Sequence, residues 1–354
     1  MDVISPQEPQ KKERHILKKL FWTAGFLLFV VLVYIGAHFA TAYREIVVEQ
    51  PKTFSVKNIL CLLGTCITDK NPIKRDPNPI PQDDPDILNV LILGMRGEDD
   101  PQDGGLLTDT ILLVSIDKTT GKVAMISIPR DLYLDMQGTL NDESVINLKG
   151  KLNEVYVHGY EKNQGLTLAS QMVSRITGQY VDRAVLFDFK AFGDIVTTLG
   201  GIDVTLAQPF NEKSQWGYEF SLPAGANHLD GEKALYYVRS RYSTSDFDRA
   251  RRQQQVILAI KKKAIDLGFL SNPTKITGLL DAMKGNVKTN FQIWEIKDVL
   301  SLAQSFKNTN LKNVVLSTDN LLYETHLPNG EYVLLPKGDD FKLMREYFKT
   351  ILSD

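Results

Sequence analysis

An excess of charge of either sign is the first thing missing from this sequence. Its 354 residues include 41 Lys and Arg against 43 Asp and Glu, for a formal net charge of -2 at pH 7. A chain with this balance has no overall positive field of the kind that gathers nucleic acid, so any basic feature must be local. The sequence therefore argues against nucleic acid as a partner.

Cysteine is almost absent as well. Cys61 and Cys66, in "CLLGTC", are the only 2 in the chain. A structural zinc ion takes four ligands, and no histidine lies near this pair, so a metal is the least favoured interpretation. Two others stay open: a disulfide that closes a very small loop, which an extracytoplasmic location would permit, and a pair of buried thiols.

Charged side chains are missing from the stretch 20–43, "LFWTAGFLLFVVLVYIGAHFATAY". At about 1.5 Å per residue a helix of this length exceeds the roughly 30 Å hydrocarbon core of a bilayer. Residues 1–19 form a basic tail, and positive flanks stay in the cytoplasm. The basic residues nearest the stretch are Lys11, Lys12, Arg14, Lys18 and Lys19. We predict one transmembrane helix in the cell membrane, with a cytoplasmic N-terminus and everything after Tyr43 outside.

A cleaved signal peptide is the alternative for this stretch. Its apolar region would span only about 7–15 residues and would precede a site of small residues. The stretch here is longer, and Trp22, Tyr34 and Tyr43 lie where interfacial aromatic residues would. An uncleaved anchor is the prediction.

Repeats and low-complexity tracts are also missing, and 43% hydrophobic with 24% charged residues is an ordinary globular composition. Residues 44–86 are predicted to be a juxtamembrane segment and linker, because 68–86 contains five prolines and few apolar residues. No second linker follows. A single extracytoplasmic catalytic domain over 87–354 is therefore predicted.

Short apolar runs at 87–93, 110–116 and 122–128 are typical of strands buried on both faces, and "DKTTGK" indicates a hairpin between the last two. Helical spacing at 167–177 and 191–199 alternates with the predicted strands "VLFDF" and "IDVTL". This alternation predicts an α/β fold, a single three-layer αβα domain with a central mixed β-sheet.

The segment 237–255, "YVRSRYSTSDFDRARRQQQ", concentrates arginine, with five in fourteen residues. On a helix that begins at Asp246, Arg249 continues the inward apolar stripe and Arg251 points away. An inward arginine at a helix N-terminus suits an anion, which the free backbone N–H groups also attract. The alternative is that Asp246 and Asp248 neutralise the arginines and cap the helix.

Two more arginines precede that helix. If "LYYVRSR" is a strand, Arg239 and Arg241 emerge on one face. Together with Arg249 they would form a clamp for a phosphate or pyrophosphate.

A second polar group follows buried strands. Arg130 and Asp131 end one strand in "SIPRDLY", and Asp109 stands just before another. Open α/β sheets bind ligands at such strand ends. Asp109 has a turn-forming role as its alternative, but a carboxylate beside phosphate-binding arginines is what Mg²⁺ takes as a ligand.

These segments together resemble the LytR-CpsA-Psr family of membrane-anchored bacterial enzymes, which attach cell-wall glycopolymers to peptidoglycan. The resemblance is strong over 87–265 and weaker beyond. It rests on "LILGMRGEDD", "LLTDTILLVSID", "SIPRDLY", "KLNEVYVHG", "LGGIDVTL" and "LDGEKALYYVRSRYSTSDFDRARRQQQVI", in the family's order and spacing.

The resemblance implies the α/β fold of the family, with an apolar pocket for a polyprenyl chain. It also implies a phosphotransfer reaction. A glycan-1-phosphate would pass from a polyprenyl-pyrophosphate donor to peptidoglycan, usually to C6 of N-acetylmuramic acid. It implies a catalytic set of Asp109, Arg130, Arg241, Asp246 and Arg249. The implied pyrophosphate contacts are Arg96, Arg130, Lys151, Asn153, Arg239, Arg241, Arg249 and Gln253. The resemblance also implies that Asp109 holds Mg²⁺. Asp246 is a candidate from its position beside Arg249 to orient or deprotonate the acceptor hydroxyl, with helix capping as the alternative.

One position departs from the family. Many members carry an aspartate directly after the "LG" of the first strand, where it helps to bind the metal. This chain has Met95, and a thioether is a poor magnesium ligand. Either Asp109 acts with water and substrate oxygens, or the following loop supplies a carboxylate from Glu98, Asp99, Asp100 or Asp103.

Two other functions fit the same residues. The clamp could cleave a polyprenyl pyrophosphate with water, because transfer and hydrolysis differ only in the hydroxyl that attacks. The protein could also be a non-catalytic regulatory module that binds lipid or glycan and shows no metal-dependent turnover.

Overall fold

The structure is a computed structural model, and it describes residues 40–47 except 42, 78–98, 104–268, 278–295 except 280, 282, 293 and 294, and 311–352. The chain divides into two compact units, Met1–Arg44 and Glu45–Asp354. Every strand and helix named below lies in the second. Several predictions lie outside the described residues: the basic tail, most of the transmembrane stretch and of the linker, Cys61, Cys66, Asp99, Asp100 and Asp103.

The strands of the described residues are β1 Ile87–Met95, β2 Thr108–Asp117, β3 Val123–Ser127, β4 Tyr133–Thr139, β5 Val145–Lys151, β6 Arg183–Phe187, β7 Ile202–Leu206, β8 Phe210–Glu212, β9 Phe220–Leu222, β10 Gly225–Leu229, β11 Val287–Thr289, β12 Leu311–Val315, β13 Leu322–His326 and β14 Tyr332–Pro336. The helices are α1 Val155–Tyr160, α2 Gly165–Thr177, α3 Phe189–Thr198, α4 Gly231–Arg239, α5 Asp246–Asp266 and α6 Lys342–Thr350. Within the described residues, no helix has the length and apolar character needed to cross a bilayer.

A mixed sheet of six strands forms the centre, in the order β11-β6-β1-β2-β3-β12. β1 pairs antiparallel with β2 and parallel with β6, whereas β3 pairs antiparallel with β2 and parallel with β12. The predicted central mixed sheet is confirmed, as are the first three strands and the hairpin between β2 and β3. Their apolar, β-branched composition suits positions in the middle of a sheet.

One face of the sheet packs against α2. Leu168, Met172 and Ile176 recur at steps of four, and all three are fully buried. The helix stops at Gly178, whose φ of +69° is the left-handed conformation that glycine adopts most easily. A second hydrophobic cluster lies among α3, β7, β9, α4 and α5 and includes Val196, Val238 and Val256.

Residues 235–239 of "LYYVRSR" are helical, so the strand on which Arg239 and Arg241 would have shared one face does not form. Asp230 caps α4 by accepting a hydrogen bond from the Lys233 N–H, and Ala234, Tyr237 and Val238 are buried at helical spacing. Arg239 is the last residue of this helix. Arg241 lies in the turn that follows.

"IDVTL" is a strand, but it does not belong to the central sheet. As β7 it pairs with β10 in a separate two-stranded sheet. Ile202, Val204 and Leu206 are buried, whereas Asp203 and Thr205 between them are exposed. Such alternation suits a strand with one face in water, and not one covered on both sides.

Candidate functional site

A cleft of about 260 Å³ lies at the edge of the sheet where β1 and β3 end and β2 begins. Its charged side chains are five arginines and one aspartate. The lining residues are Arg96, Asp109, Thr110, Arg130, Phe189, Gln215, Trp216, Val238, Arg239, Arg241, Tyr242, Arg249 and Gln253. Because the positive charge is only partly matched by the protein, the cleft is suited to a ligand with several negative charges.

Asp109 reaches this cleft through a β-bulge. Gly94 pairs with Thr110 and Met95 with Thr108, so Asp109 is the extra residue between them. A bulge redirects the side chain that it carries, and bulges are frequent near active sites. Asp109 therefore lies within β2 and not just before it, and its Oδ1 accepts a hydrogen bond of 2.7 Å from Nη1 of Arg130.

Arg130 sits in the turn after β3 among carboxylates. Besides Asp109, its Nε lies 3.3 Å from Oδ2 of Asp246 and 3.5 Å from Oδ2 of Asp131. Burial by itself would lower the pKa of this guanidinium, but the attraction of Asp109 and Asp246 outweighs it and raises the pKa. Arg130 is thus a charge that the protein itself holds in place.

The two aspartates at the start of α5 have different roles. Ser245 and Asp248 form a capping box, and Asp248 also pairs with the exposed Arg251 at 2.7 Å. Asp246 instead faces the cleft arginines, with Oδ2 at 3.4 Å from Nη2 of Arg249 and Oδ1 at 3.9 Å from Nη1 of Arg241. Asp248 thus caps the helix, whereas Asp246 lies against the arginines of the cleft.

Arg249 is buried, with 7% of its surface exposed, as the helical stripe predicts. Its Nη2 has a long contact of 3.5 Å with the carbonyl of Asp109. Burial lowers the pKa of Arg249, and the positive charges of Arg130 and Arg241 lower it further. The negative charge of Asp246 opposes this effect but does not cancel it. A negatively charged ligand would relieve this crowding of positive charge.

Arg239 and Arg241 are held by the segment between β8 and β9. The guanidinium of Arg239 lies over the rings of Phe189 and Trp216, at 4.1 and 4.9 Å from their centroids. The side-chain amide of Gln215 donates to the carbonyl of Arg239 at 3.1 Å and accepts from the N–H of Arg241 at 2.7 Å. This amide fixes the backbone that presents both arginines, so the site depends on a residue far away in sequence.

Lys151 and Asn153 are not among the residues that line the cleft. Lys151 pairs with Asp131 at 3.1 Å and with Glu331 at 3.4 Å. Asn153 is buried, and its N–H donates to the carbonyl of Arg130 at 3.2 Å. Both residues support the turn that carries Arg130 from behind.

Six of the lining residues were missed in the sequence analysis: Thr110, Phe189, Gln215, Trp216, Val238 and Tyr242. Trp216 had one available signal, as one of only 3 tryptophans in the chain. Gln215 had none, because an isolated glutamine far from the arginine cluster carries no pattern.

Met95 does not face the cleft. It is 2% exposed in the main hydrophobic core, whereas the next residue, Arg96, lines the cleft. Met95 follows Leu91 and Leu93 on the core face of β1, and Arg96 comes after the strand has ended. The thioether therefore neither occupies nor removes a cleft ligand.

For a cation, the described carboxylates near Arg130 are Asp109, Asp246 and Asp131. Glu98 is engaged by Lys288 at 2.5 Å and does not line the cleft. Among the residues that the structure describes, no group of three His, Cys, Asp or Glu side chains is arranged to hold a metal. Mg²⁺ commonly uses only one or two carboxylates together with substrate phosphates and water, and Asp109 meets that requirement.

The model of the LytR_cpsA_psr family matches residues 65–349. The chain belongs to this family. A relative from Oceanobacillus iheyensis, named polyisoprenyl-teichoic acid–peptidoglycan teichoic acid transferase TagU, is 30% identical over 83% of each chain. The protein of that name from Bacillus subtilis is 31% identical over 67% of this chain and 72% of its own.

Solved structures of family members share the fold. The crystal structure of Bacillus subtilis TagV superposes with a TM-score of 0.57 and 26% identity, over 75% of this chain and 97% of that one. The LytR-CpsA-Psr resemblance inferred from six segments is therefore confirmed, as is the mixed α/β domain.

Proposed function

We propose that this protein is a phosphotransferase that moves a glycopolymer-1-phosphate from a polyprenyl-pyrophosphate donor to peptidoglycan. The observation that carries the proposal is the cleft of five arginines and one aspartate in a chain of this family. Relatives named as teichoic acid transferases support the same reaction class. Teichoic acid is accordingly the proposed type of glycopolymer.

The donor's pyrophosphate would bind among the five arginines of the cleft, Arg96, Arg130, Arg239, Arg241 and Arg249. Phosphoryl transfer requires positioning and neutralisation of charge more than covalent participation by the protein. Arginine suits this task because its planar guanidinium donates two parallel hydrogen bonds to phosphate oxygens. A pyrophosphate bound in this way would have its reacting phosphorus at the edge of the sheet, close to Asp109 and Asp246.

In the reaction, the oxygen of an acceptor hydroxyl forms a bond to the phosphorus next to the glycan. The bond from that phosphorus to the bridging oxygen breaks, and polyprenyl phosphate leaves with the bonding electrons. Asp246 is proposed to accept a hydrogen bond from the attacking hydroxyl and to receive its proton. Because Arg130, Arg241 and Arg249 surround this carboxylate, it is held in one orientation.

Mg²⁺ is the proposed cofactor. Asp109 would be its protein ligand, with phosphate oxygens and water completing the shell. When bound, such an ion adds charge neutralisation at the phosphates. Asp109 also holds Arg130 at 2.7 Å, so this aspartate orders the clamp whether or not a cation is present.

The surroundings of the domain belong to the same proposal. A single transmembrane helix over 20–43, with a cytoplasmic N-terminus and a three-layer catalytic domain outside, would place the cleft where lipid-linked donor and peptidoglycan meet. The absence of charge over 20–43 and the basic tail before it support this topology.

The test uses the full-length protein in detergent micelles with a short-chain prenyl-pyrophosphate disaccharide and soluble peptidoglycan oligomers. Prenyl phosphate release and glycan on the oligomers are measured together, with and without Mg²⁺. Arg241→Ala is expected to lose transfer, whereas Arg251→Ala, an exposed arginine on α5 outside the cleft, should keep it.

Each product pattern has a different meaning. Release with no glycan on the acceptor would replace the proposal with hydrolysis. Tight donor binding with no release would replace it with a carrier function.

A further inference from the structure

A second cavity of about 290 Å³ adjoins the arginine cleft. The two share a wall formed by Asp109, Arg130, Arg249 and Gln253. On its far side the second cavity is closed by the hairpin of β13 and β14, through Glu324, Tyr332 and Leu334. A group bound in this cavity would therefore approach the pyrophosphate site across Arg130 and Arg249.

The second cavity has more negative than positive side chains, unlike the arginine cleft. Its charged side chains are two arginines, which are shared with the cleft, and four carboxylates: Asp109, Asp131, Asp246 and Glu324. Much of the remaining lining is apolar and includes Ile111, Ile128, Phe247, Val315 and Leu334. Both arginines already contact these aspartates. Another anionic group is therefore disfavoured here, whereas a neutral ligand that presents both an apolar face and hydroxyl donors matches the apolar side chains and the carboxylate oxygens.

Tyr332 supplies an aromatic surface beside the carboxylates. It is 36% exposed, and its hydroxyl donates to Oε2 of Glu324 over 3.4 Å. Burial raises the pKa of Tyr332, and the charges of Glu324, Asp131 and Asp246 add to the effect. An exposed ring next to carboxylates matches a pyranose, whose C–H face packs on the ring while its hydroxyls donate hydrogen bonds.

The hairpin is tied to the turn that carries Arg130. The Leu334 N–H donates to the carbonyl of Asp131 at 2.9 Å, and Lys151 bridges the side chains of Asp131 and Glu331. Asp131 therefore connects the pyrophosphate clamp to the wall that carries Tyr332. The position of Tyr332 relative to the shared wall is therefore fixed by these bonds between the hairpin and the turn.

We propose that the second cavity binds the acceptor saccharide of peptidoglycan, with Tyr332 and Glu324 as residues that determine its recognition. This inference rests on the proposed transferase function and adds the location of the acceptor. The acceptor's attacking hydroxyl would enter between Asp246 and the shared wall. The hairpin of β13 and β14 would contact the acceptor and not the phosphate of the donor glycan.

The experiment compares Tyr332→Ala and Glu324→Gln with wild type in the full-length protein. Each variant is expected to raise the KM for soluble peptidoglycan oligomers about 10-fold, while the Kd for the prenyl-pyrophosphate disaccharide stays within about twofold. Tyr323→Ala is the matched control, because Tyr323 lies on the same hairpin, bonds to Asp339 and does not line the cavity. It should leave both constants unchanged.

A crossed control uses the other cavity. Tyr242 lines the arginine cleft, with Arg241 over its ring at 5.9 Å, and does not line the second cavity. Tyr242→Ala should weaken donor binding and leave the acceptor KM alone. An unchanged acceptor KM in Tyr332→Ala, or a weakened donor Kd in that variant, would overturn the acceptor assignment.

Direct binding of the acceptor distinguishes a failure of the proposed transferase function from a failure of the acceptor assignment. Ligand-observed NMR with the same oligomers and no donor measures acceptor binding without any turnover. Binding by wild type that Tyr332→Ala weakens supports the acceptor site even if transfer is absent. No binding by wild type overturns it even if the donor is cleaved.

Discussion

Arg249 and Arg252 lie three residues apart on α5 and are equally buried, each 7% exposed. Arg252 is satisfied by the protein: its Nε donates to the Tyr237 carbonyl at 2.9 Å, its Nη2 donates to the Ser240 carbonyl, and its guanidinium lies over Phe210. Arg249 has only contacts of 3.4 Å or longer with Asp246 and Asp109 and lines the cleft.

Burial alone therefore does not distinguish a structural arginine from a functional one. What distinguishes them is whether the donors end on protein acceptors or face a space that a ligand can fill. The same contrast extends to carboxylates at opposite ends of the central strands: Asp109 lines the cleft, whereas the half-buried Asp182 accepts a hydrogen bond from the N–H of Asn89 and does not line the cleft.

Removing Arg249 tests the functional half of this contrast with the largest expected effect. Arg249→Ala should reduce the rate of glycan transfer about 10³-fold, because a desolvated cation at the phosphates is lost. The melting temperature should change little, since few protein contacts disappear. Transfer assays and thermal unfolding of the same preparation measure both, and Arg249→Lys is expected not to restore the rate. A large fall in melting temperature with normal turnover would reverse the assignment.

Removing Arg252 tests the structural half. Arg252→Ala leaves the carbonyls of Tyr237 and Ser240 without their donor and should lower the free energy of unfolding by about 3 kcal/mol. Thermal unfolding monitored by tryptophan fluorescence measures the loss. Donor affinity at a temperature where the variant stays folded should fall much less than in Arg249→Ala. Equal losses of affinity would remove the distinction between the two arginines.

Asp109→Asn extends the comparison to a carboxylate in the cleft. The amide keeps the shape but loses the charge that pairs with Arg130 at 2.7 Å, so transfer should fall about 10²-fold. If Asp109 also holds the cation, the Mg²⁺ concentration for half-maximal rate should rise. A titration of rate against Mg²⁺ measures both effects. A variant with a wild-type titration curve would remove Asp109 from the metal proposal.

Asp182→Asn is the matching change at the opposite end of the strands, with the smallest expected effect. Burial and the charge of Asp83 raise the pKa of Asp182 to about 6, against the hydrogen bond from the Asn89 N–H. Between about pH 4 and 6 the folded chain thus binds more protons than the unfolded chain. The protonated Asp182 therefore favours the folded state at low pH, and this stabilisation is lost as the pH rises through 6.

The asparagine variant should therefore be more stable than wild type at pH 7, by about 1 kcal/mol after solvent screening, with the difference vanishing near pH 4. Unfolding temperatures of both proteins over this pH range measure the trend, and transfer activity should be unchanged. A difference that is independent of pH would contradict the assigned cause.

Local pattern explains which parts of the fold could be predicted. The apolar runs of β1, β2 and β3 and the helical stripe that buries Arg249 repeat within a few residues, so their periods are visible in one sequence. For "LYYVRSR" the sequence allowed a strand, on which Arg239 and Arg241 would share one face. The cap at Asp230 and the burial of Ala234, Tyr237 and Val238 decide for a helix.

The cleft itself was only partly predictable. Most of its arginines either cluster in the sequence or follow buried strands. Arg96 and Gln253 were predicted from the family resemblance. Gln215 and Trp216 could not be found this way, because they reach Arg239 and Arg241 only through the packing of β8 and β9 against α4. Long-range contacts of this kind leave no local period.

The amino-acid sequence by itself determined the family, the mixed α/β class, the positions of the main strands and of α5, and the concentration of arginine that indicates a polyanionic ligand. Only the tertiary structure decided that Met95 faces the core, that Asp248 caps while Asp246 faces the arginines, and that β7 leaves the central sheet. It alone also brought the hairpin of β13 and β14 against the turn of Arg130. The physical reason is that periodicity and capping act over a few residues, whereas the direction and surroundings of a charge depend on elements that meet only after folding.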